Sequence, residues 1–261
     1  MKTLVSRYDK KKIGQLPKIL FQGRIIVIQS KQEAAKAVDY LLAQQIVGLD
    51  TETKPVFKKG CSMNPVALLQ VSTEDTCFLF RLNHIGLTDD LIRLLTDDKV
   101  LKVGLSLKDD FFQLRRRKPF EPGRYAELQN MVKEMGIVDQ SLQKLYANFF
   151  EHRISKTMQL TNWEADVLSE AQKRYAATDA WACIQLYKEM VHLDESGYML
   201  EIIPDPEPPV QPQPSPAEIK EKEEKKKKKD AEKRRHKRLK EKERRRRTAD
   251  RKNKEKVKSI E

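Results

Sequence analysis

The order of apolar and polar positions along the chain predicts short strands that alternate with amphipathic helices. Ile46, Val47 and Leu49 form an apolar run of the kind found in strands buried on both faces. Ser30 precedes a helical pattern and is predicted to be its N-cap. The predicted strands are 24–29, 46–52, 66–73, 76–82, 99–106 and a short one near 125–129. The predicted helices are 31–44, 88–96, 107–117, 139–150 and 168–195.

The spacing of the strands indicates how the sheet is built. Strands 66–73 and 76–82 are separated only by Glu74 and Asp75, which predicts a hairpin. Helical patterns flank most of the other strands. Together these features predict an α/β domain with a mixed sheet and helices on both faces.

Shifts in composition divide the chain into four segments. Residues 1–23 are predicted to be a polar leader that packs loosely, and residues 24–200 form the globular domain. Residues 201–216 are a proline-rich linker. Its positions 204–216 hold seven prolines in thirteen residues, so we expect an extended spacer of about 40 Å. Residues 217–261 are a basic tail, either helical or disordered.

The positive charge of the chain is concentrated in this tail. Residues 217–261 hold 23 Lys and Arg against 11 Asp and Glu, a net charge of +12. The whole chain carries +13, so the rest is close to neutral. Because such a tail can neutralise many phosphates, we predict that it binds the nucleic-acid backbone. A targeting signal or a solubilising segment is the alternative.

Cysteine usage and hydropathy indicate the compartment. The three cysteines, Cys61, Cys77 and Cys183, are scattered and form no CxxC pair. This argues against a disulfide framework or a structural zinc site. No apolar stretch approaches the length of a membrane span. The sequence therefore predicts a soluble intracellular protein with no membrane partner, cytoplasmic, or nuclear if the source is eukaryotic.

Two carboxylates, Asp50 and Glu52, end the apolar strand 46–52. Side chains two residues apart on a strand project from the same face, so these like charges are expected to lie side by side. That arrangement is unfavourable unless a cation lies between them, and a divalent metal ion is the obvious candidate. With 39 acidic residues in the chain, about six such spacings arise by chance. A solvated strand end is therefore the alternative.

Two further stretches supply candidate partners for these acids. Asp109 and Asp110 follow strand 99–106, and only Asp110 lies beside the apolar stripe of the predicted helix, so it is the better candidate. Tyr175 and Asp179 are four residues apart on one face of a helix whose alanines permit close approach to another element. A buried tyrosine that is hydrogen-bonded to a nearby acid is the alternative for this pair.

Three stretches, LDTET, VGLSLKDDFFQL and TNWEADVLSEAQKRYAATDAWACIQLY, resemble in this order the motifs of the DEDD superfamily of 3′–5′ exonucleases. The Tyr-x-x-x-Asp spacing is similar to that of the tyrosine branch, and the third stretch resembles the Werner-syndrome-type exonuclease domain. The resemblance covers about residues 25–195 and implies a ribonuclease H-like fold. It also implies five catalytic residues: Asp50, Glu52, Asp110, Tyr175 and Asp179.

The family implies a two-metal mechanism with Mg²⁺, for which Mn²⁺ is a possible substitute. In our hypothesis Asp50 bridges the two ions, and Glu52 and Asp179 complete one of them. Asp110 supports the second ion, in one version through water. Tyr175 positions the attacking water, since a hydroxyl with a pKa near 10 is a poor base at neutral pH.

Three residues are candidates for contact with substrate. Thr53 follows the first acids and would contact the terminal nucleotide, as similar residues of the family do. Trp163 is a candidate for stacking on a base, with anchoring of a loop on the core as the alternative. Phe112 is expected to line the groove, whereas its neighbour Phe111 is expected in the core.

The resemblance thus predicts a 3′–5′ exonuclease that releases nucleoside monophosphates from a free 3′ end of DNA or RNA. DNA, and with it a role in DNA repair, is favoured. One alternative is ribonuclease D-like processing of RNA, although the Arg-Pro-Leu typical of that group is missing between Trp163 and Tyr175. The other alternative is a non-catalytic nucleic-acid-binding protein that acts through its basic tail.

Overall fold

Strands and helices alternate along most of the chain. A computed structural model describes residues 1–57, 60, 62–204 and six positions between 224 and 233. The strands are β1 (Lys2–Val5), β2 (Arg24–Ile28), β3 (Ile46–Thr53), β4 (Val66–Ser72), β5 (Thr76–Arg81), β6 (Leu101–Gly104), β7 (Tyr125–Glu127) and β8 (Tyr198–Glu201). The helices are α1 (Lys10–Ile13), α2 (Lys31–Leu42), α3 (Leu82–Ile85), α4 (Asp89–Thr96), α5 (Leu107–Arg115), α6 (Leu128–Glu134), α7 (Leu142–Phe150) and α8 (Glu170–Ser196).

A six-stranded sheet in the order β2-β5-β4-β3-β6-β7 forms the centre of the domain. The central strand β3 pairs antiparallel with β4 and parallel with β6. At one edge β2 pairs in parallel with β5, and at the other edge β7 pairs in parallel with β6. The strands β4 and β5 form the predicted hairpin. The prediction of a mixed sheet is confirmed.

Each face of the sheet carries its own apolar core, because side chains alternate along the strands. Leu69 and Phe80 pack on one face in a cluster that includes residues of α2, α4 and α5. Leu68 and Leu79 pack on the opposite face in a cluster that includes Ala176 of α8. Helices therefore cover both faces, as predicted.

Local sequence sets where the longest helices begin. Ser30 caps α2 and forms a capping box with Glu33, which confirms the predicted N-cap. Ser169 and Gln172 form the same box at the start of α8. The elements β1, α1, α3, α6 and β8 were not predicted, because segments of four to seven residues give too little periodic pattern.

The prediction that residues 1–23 pack loosely is wrong. Strand β1 pairs in parallel with β8 as a separate two-stranded sheet. Leu4 and Phe21 are 0% and 1% exposed, and the Phe21 amide donates a hydrogen bond to the Thr178 hydroxyl of α8 at 3.0 Å. The compact unit consequently runs from Met1 to Pro204, beyond the predicted 24–200 at both ends.

Some predictions fall on parts of the chain that are only partly described. Glu201 of the predicted linker ends β8, and the linker from 205 onward lies outside the described residues. Most of the tail also lies outside them, although its six described positions are helical. Cys77 and Cys183 are buried free thiols, and Cys61 is not described. Among the described residues, no helix combines the length and the apolar character needed to cross a membrane.

Candidate active site

Three carboxylates meet where α8 packs against β3. Asp50 and Glu52 of β3 and Asp179 of α8 each offer an oxygen, and these oxygens lie within 4.8 Å of one another. Glu52 and Asp179 are 8% and 6% exposed. The helix approaches the strand this closely because Gly48 has no side chain: a Cβ there would lie 1.9 Å from the Ala180 carbonyl oxygen. The predicted close approach of the small-residue face of α8 is confirmed.

Burial makes these carboxylates bind protons more tightly than ordinary acids. Burial away from water is the largest cause of the raised pKa of Asp50, and repulsion from Asp179 is the second. Loss of solvent, followed by repulsion from Asp50 and Asp179, raises the pKa of Glu52. Loss of solvent also raises the pKa of Asp179, and a hydrogen bond from Tyr175 and the charge of Lys156 offset only part of that rise. The cluster therefore favours a bound proton or a bound cation.

The donor set fits a divalent metal ion. Every candidate ligand atom is a carboxylate oxygen, the donor type that Mg²⁺ and Mn²⁺ prefer. The Oδ1 atom of Asp179 is buried and has no hydrogen-bond partner among the described residues, so it is free to bind an ion. The alternative of a solvated strand end is wrong, because Glu52 is buried against α8.

Asp110 of α5 lies at the edge of the cluster. Its Oδ1 accepts a hydrogen bond from the Thr51 hydroxyl at 2.5 Å. Burial, followed by repulsion from Asp50, raises the pKa of Asp110 well above its usual range. The neighbouring Asp109 is exposed. Asp110, rather than Asp109, thus lies next to the cluster, as the sequence pattern indicated, although it is outside the group of three carboxylates that meet within 4.8 Å.

Tyr175 lies beside Asp179 and is 8% exposed. Burial, followed by the negative charges of Asp179 and Glu52, raises the pKa of Tyr175 well above its usual value. The hydroxyl therefore keeps its proton at neutral pH and acts as a hydrogen-bond donor. This chemistry suits positioning of a water molecule rather than proton abstraction.

The predicted stacking of Trp163 on a base is wrong. Its side chain is 0% exposed, so neither face of the indole is accessible to a substrate. The ring centroid lies 6.0 Å from that of Tyr175, and the indole N–H donates to the Gln159 carbonyl oxygen at 3.4 Å. The alternative, a tryptophan that anchors its loop on the core, is confirmed.

The other candidate substrate residues lie at the surface or at the strand end. Phe112 is 61% exposed, whereas Phe111 is 2% exposed and packs edge-to-face against Tyr125, as expected for a core residue. Thr53 is partly buried at the end of β3, where the register with β4 shifts after Glu52. Contacts of Phe112 and Thr53 with substrate stay predictions.

Asp50, Glu52 and Asp179 line a cleft of about 260 Å³. The cleft is also lined by residues 141–143 and 154–156. Lys156, one of these residues, is exposed, and its positive charge offsets part of the rise in the pKa of Asp179. Sequence reasoning missed Lys156, because a lone lysine in a loop carries no periodic or motif signal.

Sequence reasoning also missed the contacts that fix the loop before α8. Arg81 is fully buried, and its guanidinium donates hydrogen bonds to the carbonyl oxygens of Ala165 and Asp166. Lys54, just after β3, forms an ion pair with Glu164 at 3.2 Å. These contacts hold the loop that carries the buried tryptophan against the site.

The fold and the site together define a class of protein. A mixed sheet of this strand order has a carboxylate cluster at its central strand and a protonated tyrosine beside it. This combination is typical of metal-dependent nucleases with the ribonuclease H-like fold. The family model of 3′–5′ exonucleases matches residues 25–193, and the chain belongs to this family.

Several relatives are similar in sequence. The exonuclease 3′-5′ domain-containing protein 2 of Drosophila melanogaster is 32% identical over 179 residues, which cover 65% of this chain and 30% of that protein. A 3′-5′ exonuclease of Arabidopsis thaliana is 28% identical over 69% of this chain and 68% of its own length. The bifunctional 3′-5′ exonuclease/ATP-dependent helicase WRN of Mus musculus is 26% identical over 60% of this chain and 12% of its own length.

Solved structures share the fold at lower identity. The Nibbler EXO domain of Aedes aegypti superposes with a TM-score of 0.61 and 21% identity, covering 67% of this chain and 91% of that one. Ribonuclease D of Escherichia coli gives a TM-score of 0.58 and 22% identity, covering 67% of this chain and 46% of that one. These likenesses confirm the ribonuclease H-like fold.

Proposed function

We propose that the protein removes nucleoside monophosphates one at a time from the 3′ end of nucleic acid, with DNA as the favoured substrate. One observation carries the proposal: Asp50, Glu52 and Asp179 meet within 4.8 Å of one another beside a protonated Tyr175. Membership of the 3′–5′ exonuclease family supports the same reaction. The chain spans only 30% and 12% of its fly and mouse relatives, so the activity of the whole protein is part of the proposal.

We assign the metal ligands to Asp50, Glu52, Asp110 and Asp179, with Mg²⁺ as the natural ion and Mn²⁺ as a substitute. A bound pair of divalent ions supplies activation of the attacking water and neutralisation of charge at the leaving 3′ oxygen. The buried, unpartnered Oδ1 of Asp179 supports this assignment. Removal of the ions by EDTA is therefore expected to abolish cleavage.

The remaining chemistry belongs to side chains of the cleft. Tyr175 keeps its proton and would donate a hydrogen bond that orients the attacking water. Lys156 lines the same cleft, where its positive charge would attract the substrate phosphate. Thr53 and the exposed ring of Phe112 are our candidates for contact with the terminal nucleotide.

A second candidate is 3′ processing of RNA, and the structural neighbours favour it. Ribonuclease D of Escherichia coli is an exoribonuclease involved in structured RNA processing. Ribonuclease D of Trypanosoma brucei, solved with the RNA U12, superposes with a TM-score of 0.58. The sequence relatives include DNA polymerase I of Aquifex aeolicus, 27% identical over 62% of this chain, and this supports DNA. A role in DNA repair and a cytoplasmic or nuclear location are part of the first proposal.

The proposal is tested with 5′-labelled substrates of one sequence: 3′-recessed, blunt and single-stranded DNA, and single-stranded RNA. Each is incubated with Mg²⁺ or Mn²⁺ and the full-length protein, Asp50→Ala or Asp109→Asn. We expect a ladder that shortens from the 3′ end with the unaltered protein and with Asp109→Asn, whose side chain is exposed. EDTA or the Asp50→Ala substitution should abolish the ladder. The substrate that is shortened faster shows whether the enzyme prefers DNA or RNA.

Full-length label in every lane would overturn the exonuclease proposal. If the protein then still bound these substrates in a salt-sensitive way, and deletion of the basic tail removed the binding, the protein would act as a nucleic-acid-binding protein.

A further inference from the structure

Glu127, the last residue of β7, is an acidic residue outside the carboxylate cluster. It is 7% exposed, and its Oε1 accepts hydrogen bonds from the Ser106 amide at 2.8 Å and the Gln129 amide at 3.2 Å. Its Oε2 is buried and has no hydrogen-bond partner among the described residues. A buried carboxylate with one oxygen unpaired is unfavourable for stability alone. The contacts of its paired oxygen, Oε1, indicate where Glu127 acts.

The main partner of Glu127 is a residue in an unfavourable backbone conformation. Ser106 has a φ of 67°, in the left-handed region that residues other than glycine seldom adopt. It is the N-cap of α5, and its own side chain makes no capping hydrogen bond. Glu127 thus supplies from β7 an acceptor that stabilises this conformation of Ser106.

The conformation of Ser106 determines where α5 begins, and therefore where Asp110 lies. The Ser106 carbonyl oxygen accepts hydrogen bonds from the amides of Asp109 at 2.9 Å and Asp110 at 3.2 Å, which form the first turn of the helix. The carboxylate of Asp110 is then held by the Thr51 hydroxyl of β3. Asp110 is thus located from two sides, by β3 through its side chain and by Ser106 through its backbone.

The sheet fixes the position of Glu127 itself. Strands β6 and β7 pair in parallel with Gly104 opposite Glu127. Gly104 lies against β3, where an added Cβ would be 2.6 Å from the Leu49 carbonyl oxygen. Because β6 ends at Gly104, Ser106 lies two residues beyond the residue that is paired with Glu127.

We propose that Glu127 is a positioning residue for Asp110, which it holds at the metal site by stabilising Ser106 at the start of α5. The inference rests on the proposed function, because that function assigns Asp110 to the second divalent ion. Residues that orient a metal ligand typically contribute about 10–100-fold to metal affinity or activity.

The test compares Glu127→Ala, Glu127→Gln and the control Glu134→Ala, whose carboxylate is exposed on α6, in the full-length protein. Mn²⁺ binding is measured by electron paramagnetic resonance of the free ion, and kcat and KM are measured on the preferred substrate. We expect Glu127→Ala to raise the dissociation constant of the more weakly bound Mn²⁺ ion by about 10-fold or more. It should also lower kcat by about 10–100-fold, with KM little changed. Glu127→Gln keeps an oxygen acceptor for the Ser106 amide and should recover most of both losses.

A double variant tests the route through Ser106. Glycine adopts a positive φ without strain, so Glu127→Ala combined with Ser106→Gly should recover part of the Mn²⁺ affinity that Glu127→Ala loses. Ser106→Gly alone is its reference. If Glu127→Ala does not fold, the same comparison is made between the double variant and Ser106→Gly.

Unaltered Mn²⁺ binding and kcat in Glu127→Ala, with only a lower melting temperature, would overturn the inference. So would equal losses in Glu127→Ala and Glu134→Ala. The proposed function fails separately: if the unaltered protein cleaves no 3′ end but Glu127→Ala still weakens Mn²⁺ binding, the positioning role stands and the exonuclease does not.

Discussion

At the scale of single residues, the site consists of groups that destabilise the protein while no cation is bound. Asp50, Glu52 and Asp179 are close enough to repel one another, and one oxygen of Asp179 is buried without a partner among the described residues. Like charges in close contact and a buried oxygen without a partner are both unfavourable for stability, and both occur at this one site. The side chains that would bind metal therefore lower the stability of the metal-free protein.

We expect Asp50→Asn to stabilise the metal-free protein while it abolishes cleavage. Asparagine is neutral at every pH, whereas Asp50 must either ionise beside other carboxylates or take up a proton when the protein folds. The gain should be on the order of 1–3 kcal/mol, since one unit of pKa shift corresponds to about 1.4 kcal/mol. The measurement is thermal unfolding in EDTA and in Mn²⁺. Asp109→Asn is the control, and a melting temperature of Asp50→Asn below that of the unaltered protein in EDTA would contradict the prediction.

The raised pKa values predict a pH dependence with a definite sign. Burial and repulsion raise the pKa of Asp50 from 3.8 to about 8 and that of Asp179 to about 7. The folded state therefore binds these protons more tightly than the unfolded state does, and their contribution to stability is lost as the pH rises from about 4 through about 8.

We accordingly expect the melting temperature of the metal-free protein to fall between pH 5 and pH 8.5 by more than that of Asp50→Asn. The stabilisation by Mn²⁺ should grow over the same range, because the ion replaces protons. If the melting temperatures of the two proteins changed equally with pH across this range, Asp50 would not be the group responsible.

At the scale of elements, the site depends on the contact between β3 and α8. Gly48 permits it, since a Cβ there would meet the Ala180 carbonyl oxygen at 1.9 Å. Gly48→Ala should cost about 1–3 kcal/mol, the usual range for overpacking. It should also reduce the stabilisation by Mn²⁺, because α8 carries Asp179 away from Asp50.

Gly14→Ala is the matched control for this substitution. Gly14 has a φ of −60°, and an added Cβ there meets nothing within 4 Å. Its melting temperature and Mn²⁺ response should match those of the unaltered protein. Equal behaviour of the two variants would show that the close approach at Gly48 does not matter.

At the scale of the whole molecule, charge and catalysis lie in different parts of the chain. The acids all lie in the compact unit Met1–Pro204, whereas residues 217–261 carry +12 of the +13 net charge. The salt dependence of binding should therefore come from the tail, because each phosphate that a protein neutralises adds about 0.7–0.9 to the slope of log affinity against log salt.

We expect a chain that ends at Pro204 to melt at the same temperature as the full protein. Its affinity for nucleic acid should fall about 10-fold or more at low salt, with a shallower salt slope and an unchanged kcat at saturating substrate. Filter binding between 50 and 300 mM salt measures the slope. If truncation left the slope unchanged, the tail would have another function.

Local sequence determined the parts of this protein that a few neighbouring residues specify. Buried strands read as apolar runs, Ser30 read as a cap, and the i+2 spacing on a strand placed Asp50 and Glu52 on one face. The apolar stripe of the predicted helix also distinguished Asp110 from Asp109. In each case the decisive interaction is between residues a few positions apart, so that the pattern carries the information.

Only the tertiary structure decided features that depend on residues far apart in the chain. The pairing of β1 with β8 joins residues about 196 positions apart, and a four-residue strand gives no pattern that specifies its partner. Whether Trp163 faces substrate or the core depends on the loop that Arg81 holds. The hydrogen bond from the Ser106 amide to Glu127 depends on the register of β6 and β7. Such contacts are selected by packing and burial across the whole fold, which the periodicity of a sequence does not record.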